Sequence, residues 1–60
     1  MQKWEYKSVG AKLPKQKLVA EFLTNECNKY GIDGWELVDF QLDLILDRYI
    51  YLIFKRPKED

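Results

Sequence analysis

Gly31-Ile32-Asp33-Gly34-Trp35-Glu36-Leu37-Val38 is where one hydrophobic period gives way to another. Upstream of it, Leu18, Val19, Phe22, Leu23, Cys27 and Tyr30 recur at three- and four-residue spacing, which collects side chains on one face of a helix. Downstream, Val38, Phe40 and Leu42 alternate with Asp39 and Gln41, the period of a strand with two unlike faces. The pattern predicts a helix over about 15–30 and a strand over about 35–42. Gly31 is expected to take positive φ at the helix C-cap, with Ile32 folded back onto the last turn in a Schellman closure. Asp33-Gly34 is then expected to turn the chain into the strand.

Toward the N-terminus, β-branched and aromatic content predicts a first strand over about 3–9, with Trp4, Tyr6 and Ser8 on one face and Glu5, Lys7 and Val9 on the other. Gly10 to Pro14 reads as a connection, with Pro14 in the first helical turn, where its missing N–H costs nothing. No Ser, Thr, Asp or Asn stands ready as an N-cap, and Lys15 and Lys17 fall in the first turn, the wrong sign for the helix dipole. Toward the C-terminus, a third strand over about 48–56 has two apolar faces: Tyr49, Tyr51 and Ile53 on one, Ile50, Leu52 and Phe54 on the other. Such a strand belongs in the centre of a sheet. Pro57 ends it and 57–60 forms a tail.

The reversal between the last two strands falls on Asp43-Leu44-Ile45-Leu46-Asp47, which has no Gly, Asn or Pro to set a tight turn. Its boundaries between 42 and 48 stay open: either the strands extend further, or the apolar tip is covered by another chain.

These elements give a single α+β domain of order β-α-β-β. Its three-stranded sheet takes the spatial order 1-3-2, with one helix on one face, half of a ferredoxin-like split β-α-β. One helix leaves the second sheet face bare. Which parity set lies there is open, because one residue of register exchanges the two sets.

A 60-residue chain buries only ~60% of the surface its unfolded form exposes. Small domains therefore lean on disulfides, metals or partners. Cys27 is the only cysteine and there is no histidine, so self-association is the expected support. Ten basic and ten acidic residues cancel, which lacks the basic excess that draws nucleic acid. The charges are nonetheless segregated: lysines dominate residues 1–17, and Asp33, Glu36, Asp39, Asp43 and Asp47 stand in 30–47 without a base. The segregation suits packing of two copies, and it equally suits two solvated faces. No apolar signal core opens the chain, and the longest apolar run, Tyr49 to Phe54, is too short to span a bilayer, so a cytoplasmic location is expected.

Chemistry-bearing residues are sparse. Ser8 is the only serine, Cys27 sits on the apolar helical stripe, and the three glycines are scattered, which leaves no nucleophile with a conventional base and no phosphate loop. No enzyme, cofactor or metal is expected. Asp39, Asp43 and Asp47 would share a face only if the strand ran straight through the predicted hairpin. Trp4, Tyr6, Trp35, Tyr49 and Tyr51 are candidates for an aromatic platform on the outer face, serving as an interface or stacking a base; Leu44, Ile45 and Leu46 extend the candidate interface to the hairpin tip. Lys12, Lys15 and Lys17 around the helix start are a candidate anion site or merely solvated surface.

Trp4-Glu5-Tyr6-Lys7, Asn28 with Gly31, Gly34-Trp35-Glu36-Leu37-Val38, and Tyr51-Leu52-Ile53-Phe54-Lys55-Arg56-Pro57 resemble a family of very short bacterial and bacteriophage proteins known as a domain of unknown function. The likeness spans nearly the whole chain. It implies the β-α-β-β fold and a bacterial or phage-infected host cytoplasm, and it carries over no catalytic residue. The chain departs from the family pattern in Leu44-Ile45-Leu46 and in its lysine-rich approach to the helix, so an individual function is expected there. Two functional readings follow. One is a homo-oligomeric module that binds another protein, as a phage-encoded inhibitor of a bacterial defence or regulatory complex would. The other is an oligomeric sponge for a nucleotide-derived small ligand.

Overall fold

The computed structural model describes residues 1–43, 45 and 48–59. Strand β1 (Trp4–Lys12), helix α1 (Val19–Gly31), strand β2 (Glu36–Asp43) and strand β3 (Tyr49–Pro57) follow in the expected order. β3 lies between the other two and pairs antiparallel with both, giving the sheet order β1-β3-β2. No helix among the described residues is long and apolar enough to cross a membrane.

The parity of β3 is resolved. Ile50, Leu52 and Phe54 are buried, and with Leu13 and Phe22 they form the core beneath α1. Cys27, Tyr30, Trp35 and Leu37 pack around that core, so Cys27 serves as a half-buried apolar side chain. The Tyr30 and Phe54 rings meet at 4.9 Å between centroids, tilted by 50°.

Three local expectations are corrected. First, β1 runs on to Lys12, since Gly10, Ala11 and Lys12 continue the ladder opposite Tyr51, Ile50 and Tyr49. The Leu13 N–H then donates to the Arg48 carbonyl at 2.7 Å and the Leu13 side chain is buried, which pins the chain to the sheet layer. It must cross to the other layer before a helix can start. Pro14, Lys15 and Lys17 therefore belong to a preceding turn, closed by Lys17 N–H on the Pro14 carbonyl at 3.2 Å, and α1 begins at Val19. Leu18 is its N-cap, with no side-chain cap bond, and the first turn carries Glu21, the right sign for the dipole.

Second, the helix closure falls on Gly34 and not on Gly31. Gly31 is still helical and Ile32 keeps αR angles, while Gly34 takes φ +88°. The Trp35 N–H donates to the Tyr30 carbonyl at 3.1 Å and the Gly34 N–H to the Gly31 carbonyl at 2.9 Å, the paired bonds of a Schellman motif with Gly34 at C′ and Trp35 at C″.

Third, β2 does not alternate strictly. Leu37 lies opposite Phe54 but Asp39 opposite Ile53, so Val38 is an extra residue, a β-bulge. The bulge places Leu37, Phe40 and Leu42 on the helix side and sends Asp39, Gln41 and Asp43 to the open side. Arg48, at φ 52°, starts β3 from the left-handed region; Leu44, Leu46 and Asp47 of the hairpin tip lie outside the described residues.

The shifted closure makes a paired prediction. Gly34→Ala should destabilise by about 1–2 kcal/mol, the cost of a Cβ in the left-handed region. Gly31→Ala should stabilise by up to about 1 kcal/mol, since it is a helical glycine with nothing within 4 Å of the added methyl. Thermal melts followed by circular dichroism check both signs, and equal effects at the two sites would contradict the assignment.

Candidate interaction surface

The sheet face turned away from α1 is built from alternate residues of all three strands, because residues opposite one another in a ladder share a face. Its rows are Trp4 with Pro57; Tyr6, Lys55 and Glu36; Ser8, Ile53 and Asp39; Gly10, Tyr51 and Gln41; and Lys12, Tyr49 and Asp43. Trp4 (41% exposed), Tyr6 (64%), Tyr49 (36%), Tyr51 (50%) and Ile53 (42%) form its apolar part. Four of the five aromatic residues expected on a platform are thus together.

The Tyr49 and Tyr51 rings stack at 5.6 Å and 25°. They lean toward β1, where a Cβ on Gly10 would meet Tyr51 ring carbons at 3.5 and 3.6 Å and a Tyr49 ring carbon at 3.7 Å. Gly10 gives the two rings a flat seat. At the other end of the face the Lys55 ammonium lies 4.4 Å above the Trp4 ring.

Trp35 is the exception among the predicted platform residues, since it lies on the helix side against the core. Its position follows from the Schellman closure, which folds C″ back over the last helical turn. There the Arg56 guanidinium covers the Trp35 ring at 4.2 Å, donates from Nε to Glu5 at 2.5 Å, and donates from Nη1 to the Asp33 carbonyl at 2.9 Å. One side chain thereby joins β3, β1 and the end of α1. Lys7 adds to the same cluster, its ammonium 4.6 Å from the Tyr30 ring and 5.6 Å from that of Trp35.

The remaining candidates divide. Ile45 at the hairpin tip is 92% exposed, and its N–H donates to Asp43 Oδ1 at 3.3 Å; Leu44 and Leu46 fall outside the described residues. Of the three lysines, Lys12 lies on β1, while Lys15 and Lys17 lie in the turn before the helix. Lys12 ends the open-face row of Tyr49, Lys15 belongs to the turn before the helix, and Lys17 borders a shallow depression on α1 with Ala20, Glu21, Thr24 and Asn25. No group of three or more His, Cys, Asp or Glu residues able to hold a metal occurs among the described residues. Asp39 and Asp43 do share the open face, two rows apart, and Asp47 lies outside the described residues.

Ile53, grouped with Tyr49 and Tyr51 by strand period, completes the surface together with Gly10, Lys55 and the acidic edge of β2, which periodicity did not single out. Antiparallel pairing with β3 is the signal that places them, and it needs the register.

Arg56→Ala should lower stability by about 1–2 kcal/mol, and Arg56→Lys should recover less than half of that loss, because an ammonium cannot stack on Trp35 while bonding two acceptors. The Glu5 and Arg56 side chains are 38% and 36% exposed, so the ion pair itself contributes little, and the loss should barely change with salt. Urea titration by tryptophan fluorescence at low and high salt measures all three quantities. No protein-family model matches the chain, and no curated protein or solved structure matches it.

Proposed function

We propose that this chain is a non-catalytic, homo-oligomeric protein-interaction module whose open sheet face is covered in the working assembly. The observation that carries the reading is the contiguous set Trp4, Tyr6, Tyr49, Tyr51 and Ile53 on the face opposite the helix. A monomer seldom leaves a patch of that kind to water. Exposed Ile45 at the hairpin tip supplies a second apolar point for a further protein partner. Together with the likeness to short bacterial and phage proteins, these surfaces support a cytoplasmic inhibitor that docks on a bacterial defence or regulatory complex.

The alternative is an oligomeric sponge for a nucleotide-derived ligand. It draws on Lys12 standing in the row of the stacked Tyr49. It is the weaker reading, because Lys15 and Lys17 belong to other elements and do not join that row.

Native mass spectrometry separates the two. A bare integer multiple of the 7.2 kDa chain is expected, and extra mass of a few hundred daltons per site would favour the sponge. Tyr49→Lys combined with Tyr51→Lys should give a folded monomer, since both side chains are exposed and lie outside the core. A parent chain that stays monomeric at roughly 100 µM, far above the dissociation constants of standard interfaces, would sink the proposal.

A further inference from the structure

The open face is asymmetric in shape and in charge, and both asymmetries run across the strands. Tyr49 and Tyr51 lean over Gly10, so their rings raise a ridge on the β1 side of the midline. On the β2 side, Tyr51 borders shallow depressions with Asp39, Gln41 and Ile53. The face is a ridge beside a furrow. The open-face positions of β2 carry Glu36, Asp39 and Asp43 without a base. Those of β1 end in Lys12, and the Lys55 ammonium is drawn to the β1 side above Trp4.

A surface with these properties is complementary to its own copy turned about its midline. Half a turn about an axis parallel to β3 exchanges left and right and preserves position along the strands. It lays β1 over the β2 of the other copy and the ridge into the furrow. Lys12 then meets Asp43 of the partner subunit, and Lys55 comes beside Glu36 of the partner subunit. A two-fold axis across the strands would instead lay β2 on β2, acid against acid. Aligned stacking, with strands within about 30° of one another, admits either axis, so charge and shape decide between the two.

We infer that the occupant of the open face is a second copy of this chain, related by a two-fold axis parallel to β3. The inference rests on the homo-oligomeric reading above and specifies its interface.

Charge reversal tests it, with sedimentation equilibrium and native mass spectrometry as readouts and circular dichroism as the check on folding. Lys12→Asp alone and Asp43→Lys alone each oppose like charges twice per dimer, and each should raise the dissociation constant about tenfold or more. Mixing the two variant chains should yield a heterodimer, in which both charge pairs are restored. The doubly reversed chain should associate like the parent. Asp43 also accepts the Ile45 N–H, so Asp43→Lys carries a risk of misfolding. In that event Asp43→Asn in the Lys12→Asp background keeps the acceptor, removes the repulsion, and should recover the dimer. A parent dimer that Asp43→Lys tightens, or variant chains that mix without preference, would overturn the axis while leaving the homo-oligomer standing. A monomeric parent would defeat both.

Discussion

Packing of Ile50, Leu52 and Phe54 beneath α1 is the interaction on which the rest of the structure depends. β3 is hydrogen-bonded on both edges and apolar on both faces, so it can only be central. Once alternate residues are committed to the helix, Tyr49, Tyr51 and Ile53 must stand on the other side. A single helix satisfies half of the strand's demand for cover. The open face is thus a direct consequence of how the core is built.

The closure at Gly34 serves the same core from its end. It stops the helix where Trp35 can turn back over Tyr30, and it presents the Asp33 carbonyl to Arg56. Arg56 in turn reaches Glu5 on the far strand. The first and last strands and the helix terminus are fastened at one place, where a two-layer domain with few buried residues would otherwise fray. The aromatic residue of the Gly-Trp-Glu-Leu-Val segment acts here as a structural clasp.

Element order and sheet order were legible because they depend on averages: a helical period over a dozen residues, an apolar strand with two matching faces, and a connection too short for anything but antiparallel pairing. What escaped hung on single residues. Gly31 and Gly34 are each followed by a large apolar side chain, so either fitted a Schellman closure, and only the backbone bonds at Tyr30 distinguish them. The spacing of three between Leu37 and Phe40 hinted at the extra residue at Val38, but one irregular step in a short strand does not outweigh the alternation around it. Trp4, Tyr6, Tyr49 and Tyr51 share the open face because they follow strand parity. Trp35 lies on the other side, which is set by the helix terminus. The lysines were grouped by proximity in sequence, and the anchoring of Leu13 leaves Lys12 on β1 and puts Lys15 and Lys17 in the turn that follows.

The bulge at Val38 also bears on what this sheet cannot become. A sheet with two open edges invites lateral growth, strand upon strand, into a ribbon without a natural end. On the β2 edge the doubled residue interrupts the regular spacing that an incoming strand would need. On the β1 edge Lys12 stands at one end, a lysine of the kind that discourages pairing of an exposed edge. With both margins discouraged, the broad face and the exposed Ile45 side chain remain as apolar surfaces. Strand-upon-strand growth has no ready margin from which to start.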